Sequence, residues 1–159
     1  LTPSVIGRIA PAMRYFLDTE YNGFGGELIS LALVPEFDDQ EFYASLPLPD
    51  TLHPWVERHV VPYLRHVPVG LDHEMTRAEA AAYVSHYLAG DADPVIVADW
   101  PEDIALFSML LLTGPGEIVP VGSLGFELMR NPGFSPAANS AVPHNALHDA
   151  RALRAFCVQ

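Results

Sequence analysis

The chain has 159 residues, half of them hydrophobic, and carries a formal net charge of −12 with no lysine: all eight basic residues other than histidine are arginine. That length supports one hydrophobic core and not two comfortable ones, and the short alternation of apolar and polar stretches, without low-complexity tracts, fits a compact globule. The acidity excludes a protein that holds long nucleic acid by a basic surface field. It leaves room for one that neutralises its own acids with metal ions and grips only a chain end, since arginine also forks two hydrogen bonds to a phosphate. No apolar run reaches the ~20 residues that cross a bilayer, and Cys157 has no second cysteine to pair with. A reducing, cytoplasmic setting without a membrane partner is the expectation, with Cys157 a small core residue.

Residues 1–12 read as an N-terminal extension or leader, and 13–159 as a single domain. The apolar run Met13-Arg14-Tyr15-Phe16-Leu17 opens a strand that ends on Asp18-Thr19-Glu20. Gly23-Phe24-Gly25-Gly26 is a turn, 28–34 a second strand, Asp38-Asp39 a turn and 41–44 a short third strand, which together make a β-meander. Pro47, Pro49 and Pro54 punctuate a loop before a short helix over 55–64, broken near Pro62. Thr76-Arg77-Ala78-Glu79 is a capping box for a helix that Gly90 closes, with Ala80, Val84 and Leu88 on the buried stripe. Val95-Ile96-Val97-Ala98 reads as a strand buried on both faces, and Pro101 starts the next helix. A final strand is expected at 118–121. A Pro-, Gly-, Ser- and Asn-rich loop over 131–143 leads to His144, and a last helix runs over 146–157.

Certain acids do not suit a bland layered fold. Side chains alternate along a strand, so Asp18 and Glu20 leave the same side while Thr19 points to the other. Two like charges that close are unfavourable unless a proton or cation lies between them, and a pair of carboxylates suits a hard divalent metal. In the helix after Pro101, Asp103 shares a face with Leu106, Phe107 and Leu110, so it heads a stripe that packs on the sheet, where an unpaired carboxylate is costly. A helix N-terminus stabilised by acids would be the ordinary role for Asp99, Glu102 and Asp103. Asp149 precedes Ala152 and Leu153 at i+3 and i+4 and also faces inward. His144, five residues earlier at the loop-to-helix junction, stands where a side chain can reach over a metal site.

These residues, Asp18-Thr19-Glu20, Asp103 and His144-Asn145-Ala146-Leu147-His148-Asp149, resemble the three motifs of the DEDDh 3′–5′ exonucleases, DnaQ-like members of the RNase H-like superfamily. The resemblance spans residues 14–156. It implies an α/β fold, with a mixed five-stranded sheet flanked by helices on both faces. It also implies that Asp18, Glu20, Asp103 and Asp149 hold two Mg2+ or Mn2+ ions and that His144 is the general base. The family's first motif often continues Thr-Gly-Leu, whose apolar residue wedges against the terminal base. Here the continuation is Tyr21-Asn22-Gly23-Phe24, which makes Phe24 the candidate for that contact, with core packing at the turn as its other role. Thr19 and His144 join Phe24 as expected substrate contacts.

The middle motif departs from the family pattern His-Asn-x-x-Phe-Asp: this chain reads Ala98-Asp99-Trp100-Pro101-Glu102-Asp103, so Asp99 stands as an alternative ligand to Asp103. The opening of the domain is most similar to the small bacterial exoribonucleases typified by a mycobacterial member. The activity so implied is release of nucleoside 5′-monophosphates from a single-stranded 3′ end, RNA favoured, by two-metal hydrolysis, and the family admits a homodimer. A DNA-directed exonuclease, another metal-dependent phosphohydrolase acting on nucleotides, and a non-catalytic binding module are the alternatives. Retention of all four acids and the histidine argues against the last. Arg130, Arg151 and Arg154 are candidate phosphate contacts, with ion pairs to the many acids as their other role. Trp55, Trp100 and Tyr21 are aromatic residues able to stack on bases.

Overall fold

The computed structural model describes residues 12–159, so the extension or leader read over 1–12 lies, apart from Ala12, outside the described residues. The apolar opening forms β1 (Arg14–Tyr21), which pairs antiparallel with β2 (Leu28–Pro35); β2 pairs antiparallel with β3 (Phe42–Ser45). On its other side β1 lies parallel to β4 (Val95–Ala98), and β4 parallel to a strand over Gly125–Leu128 that closes the five-stranded sheet. The sheet is therefore mixed, with β1 at its centre. Period-two alternation divides the side chains of β1 between two cores.

Tyr15 and Leu17 join Leu31, Leu33, Phe42 and Ala44 on one face, under α2 (Arg77–Leu88) and α3 (Pro101–Leu110). Phe16 joins Ala32, Val34, Tyr43 and Val97 on the other, under a last helix over Ala146–Cys157. Helices thus cover both faces, and β2 is buried along its whole length. The capping box of α2 is complete, with the Thr76 amide donating to Glu79 at 2.7 Å and the Glu79 amide donating back to the Thr76 hydroxyl at 3.2 Å. Among the described residues no helix is long and apolar enough to cross a membrane.

The expected final strand at 118–121 is corrected by the structure. After α3 the chain makes a small hairpin, β5 (Leu112–Gly114) against β6 (Glu117–Ile118), turning at Gly116, whose φ of 71° suits glycine. Val119 then tucks into the core beside Leu111, and Pro120, which lacks an N–H, ends any strand there. The fifth strand of the sheet is β7 (Gly125–Leu128), a partly exposed edge. Cys157, expected in the core, is only partly buried. The loop over 131–143 contains a one-turn helix, α4 (Pro136–Asn139), capped by Ser135. The helix expected over 55–64 is split at Val60 into α1 (Pro54–His59) and a 3-10 turn, Val61–Tyr63.

α5 (Ala146–Cys157) starts at a fully buried Asn145. Its side-chain oxygen accepts from the amides of Leu147 and His148, and its Nδ2 donates to the Tyr63 carbonyl at 2.8 Å. Tyr43 Oη donates to the neighbouring Leu64 carbonyl at 2.6 Å, and the His148 ring meets the His66 carbonyl at 2.8 Å. Three side chains thereby tie the segment over 63–66 to the start of α5 and to β3. Replacing Asn145 removes a helix cap and the tie to the Tyr63 carbonyl. Asn145→Ala is expected to lower unfolding stability by about 2 kcal/mol, read by denaturant titration.

Candidate metal centre

The acids singled out in the sequence meet at one end of the sheet. Asp18, Glu20, Asp103 and Asp149 are all at least nine-tenths buried, and all four line one open cleft of about 480 Å³ together with His144 and Phe24. They arrive from one strand and the first turns of two helices. Asp18 and Glu20 sit on alternate residues of β1, just before the register irregularity at Glu20 and Tyr21. Asp103 is in the first turn of α3, which Pro101 opens, and Phe107 and Leu110 on the same stripe press that face onto the sheet. Asp149 is in the first turn of α5.

Within the cleft the groups separate into two sets. One oxygen each from Asp18, Asp99 and Asp103 lie within 4.8 Å of one another, and so do one ligand atom each from Glu20, His144 and Asp149. Hydrogen bonds hold the acids but do not satisfy them. Asp103 Oδ1 accepts from both the Thr19 hydroxyl at 2.6 Å and the Thr19 amide at 3.2 Å. Asp149 Oδ2 accepts from the His144 amide at 3.0 Å. Among the described residues Asp18 Oδ2 and Asp149 Oδ1 are buried without a hydrogen bond, although the Ser140 hydroxyl, itself unpartnered, stands near Asp149 and opposes the rise of its pKa. Two buried carboxyl oxygens without donors, in a cleft lined by hard oxygen ligands, are groups that could hold a divalent cation.

The electrostatics agree. Burial, reinforced by the charges of Asp103 and Glu20, pushes Asp18 well above the usual carboxylate range. Burial and then Asp149 do the same to Glu20. Burial raises Asp103 to about 7 against the opposing Thr19 bonds, and raises Asp149 to about 6. His144 moves the other way, lowered by burial and then by the nearby His59, so its ring is neutral and basic at neutral pH. Its backbone has a φ of 66°, and its ring stands edge-on to Trp55, 4.8 Å between centroids.

The sequence-derived substrate contacts are placed differently from one another. Phe24 is 97% exposed, which excludes core packing and leaves its ring at the cleft. It is presented by a turn in which Gly23 adopts a φ of 74° and a Cβ at Gly26 would lie 2.1 Å from the Asn22 carbonyl oxygen. Thr19 has both its hydroxyl and its amide turned to Asp103, so its polar atoms serve that acid. Trp55 and Trp100 line the cleft and are half-exposed. Arg151 pairs with Glu41 at 2.6 Å rather than standing free.

Sequence reasoning missed Asn22, which joins the two walls of the cleft. Its Nδ2 donates to the Thr51 carbonyl at 2.8 Å and its Oδ1 accepts from the His53 amide at 2.7 Å, fastening the Phe24 turn to the approach to α1. Asn-Gly is a turn signal in the sequence, but nothing there indicates a partner about thirty residues away. No protein-family model matches the chain and no curated protein matches it. A functional reading therefore rests on these residues and their geometry.

Because the folded acids hold protons that the unfolded chain would release, stability of the metal-free protein falls as pH rises from about 4 to about 7. Divalent cations compete with those protons, so Mg2+ or Mn2+ is expected to raise the melting temperature more at about pH 8 than at about pH 5. Asp103→Asn, which keeps the acceptor for Thr19 and deletes the charge, should stabilise the metal-free protein by about 1 kcal/mol at about pH 8, or roughly 2–4 °C, and blunt the rise with metal. Thermal melts with and without chelator check all three; stability that climbs with pH over this window would contradict the repulsion.

Proposed function

We propose that this chain is a metal-dependent 3′–5′ exonuclease of the DEDDh type, with an RNase H-like fold, that releases nucleoside 5′-monophosphates from a single-stranded 3′ end, RNA favoured. The observation that carries the reading is convergence: Asp18, Glu20, Asp103 and Asp149, from β1, α3 and α5, stand in one cleft with His144, and two of their oxygens are buried without a donor. Residues spread over most of the chain have no reason of packing to collect at a place where each raises the cost of the others. The mixed five-stranded sheet with helices on both faces is the architecture the sequence resemblance implies.

When bound, two Mg2+ or Mn2+ ions would supply the charge that balances the acids, lower the pKa of an attacking water and stabilise the departing 3′ oxygen. Asp18, Glu20, Asp103 and Asp149 are the residues that would hold them. Thr19 fixes the rotamer of Asp103, and the His144 amide fixes that of Asp149, so each acid is held in place with one oxygen unengaged. His144 accepts the proton of the water; its ring is kept neutral by burial, the form a base needs. No protein nucleophile is required.

The walls suit bases more than phosphates. Among the described residues no arginine lines the cleft, whereas Phe24, Trp55 and Trp100 do, and aromatic faces accept any base by stacking. Binding by cations on the floor and rings on the walls gives a short footprint at a chain end, in keeping with the net charge of −12.

The test is hydrolysis of single-stranded RNA and DNA oligonucleotides, with free nucleotides as the comparison, in Mg2+ or Mn2+. Stepwise release of nucleoside 5′-monophosphates from the 3′ end is expected, lost on chelation, and RNA over DNA reports a contact to the 2′-hydroxyl. His144→Ala should lower turnover by about 10²–10⁴-fold while Mn2+ binding is kept. Cleavage of free nucleotides alone, or no cleavage with either metal, would refute the reading.

A further inference from the structure

The cleft contains one more acid than the four-carboxylate reading uses. Asp99 follows β4 directly. The last register pair of the parallel strands β1 and β4 is Phe16 with Val97, and two residues onward along each chain stand Asp18 and Asp99. Neighbouring strands lie ~4.8 Å apart and side chains two residues apart share a face. The register that packs Phe16 and Val97 into one core therefore brings Asp18 and Asp99 side by side at its open end. α3, which begins two residues after Asp99, adds Asp103 from its first turn, and the three carboxylates come within 4.8 Å of one another through one oxygen each.

Among the described residues no side chain donates to the Asp99 carboxylate, whose one close donor is its own amide. The nearest cation, Arg130, donates from Nη1 to the main-chain oxygen of Asp99 at 2.8 Å and lies over the Trp100 ring, 4.9 Å from its centroid. It pins the backbone and leaves the carboxylate unpaired. Among the described residues the arginine–carboxylate ion pairs are Arg14 with Glu36 and Arg151 with Glu41. The second sign of a ligand is beside it: Asp18, 8% exposed, has its Oδ2 buried with no donor. A cation is the species that relieves both at once.

We propose that Asp99 is a fifth carboxylate ligand, so that Asp18, Asp99 and Asp103 hold one divalent cation while Glu20 and Asp149 serve the other position beside His144. The inference rests on the metal-dependent reading of the site. It makes Asp99 and Asp103 partners, where the sequence set them as alternatives. Three carboxylates outweigh one dication, so this position fills in the free protein, with no substrate phosphate needed to complete it. Ligand charge count is what tunes affinity in oxygen-ligand sites. Arg130 acts through Asp99 as a positioning residue.

The experiment is Mn2+ titration of the chelator-treated protein without nucleic acid, read by calorimetry and by the electron paramagnetic resonance of free Mn2+. Wild type is expected to bind two ions, one of them more tightly. Asp99→Asn should weaken the tight position by about tenfold or more and leave the other within a few-fold, as Asp103→Asn does, while Asp99→Glu, which keeps the charge, retains most of the affinity. Melting of each variant in chelator checks that it is folded, and the charge-keeping variant serves where the amide is not. Wild-type affinity at both positions in Asp99→Asn would overturn the role of Asp99 and leave the metal reading standing. A wild type that binds no Mn2+ would overturn both.

Discussion

The crowding of like charge at the end of the sheet is the constraint on which the rest of the structure depends. Two carboxylates about 5 Å apart repel by about 3 kcal/mol at an effective dielectric constant near 20, and here several such pairs lie in a cleft that also strips them of water. An unconstrained chain would splay them apart. It cannot, because each acid is fixed to an element buried on both sides of its attachment: β1 between two cores, α3 pressed down through Phe107 and Leu110, α5 through Leu147, Ala150 and Leu153. The packing energy of two full cores opposes the repulsion, and a cation would remove it. Elements of this rigidity suit a site whose ligands must not drift.

Small polar side chains complete what packing begins. Thr19 and the His144 amide each hold one oxygen of an acid and so fix its rotamer. Asn145 caps α5 and at the same time anchors the 3-10 turn that follows α1. Asn22 fastens the turn bearing Phe24 to the entry of α1. The aromatic wall made by Phe24, Trp55 and His144 therefore stands on two loops and the first turn of α1, fastened through backbone groups that Asn22 and Asn145 take up. Cleft wall and acidic floor are mechanically one piece.

Strong local periodicity made most of this visible in the sequence. β1, β2 and β4 are dense apolar runs, α2 has its capping box, and the three-to-four spacing of Asp103 with Phe107 and Leu110 put that acid on the packed face. The fifth strand was not legible, because Gly125-Phe126-Glu127-Leu128 is a partly exposed edge with weak alternation, whereas 118–121 has the β-branched composition of a strand but belongs to a hairpin end. The relation of Asp99 to Asp18 was equally hidden. It depends on the parallel register of two strands some eighty residues apart, which no local pattern encodes, and on Arg130 choosing a backbone oxygen over a carboxylate. Asn22 escaped for the same reason: its partners are distant main-chain atoms.

The distribution of cations follows from the same constraint. Arg14 and Arg151 are spent on Glu36 and Glu41 at the flanks of the sheet, and Arg130 on a backbone carbonyl and an indole. An arginine placed in the cleft would neutralise the acids permanently and displace the metals. A phosphate-binding cation there must be one that the acids hold and the solvent can exchange. On the proposed function the protein keeps its floor acidic and its walls aromatic, and the attraction for a phosphodiester then exists only where a metal sits. That attraction is screened within about 8 Å at physiological salt, so the surrounding negative surface repels the rest of a long strand while a terminus can still enter. A strongly acidic chain and a nucleic-acid substrate are compatible on those terms, and the acidity itself favours the end of a strand over its middle.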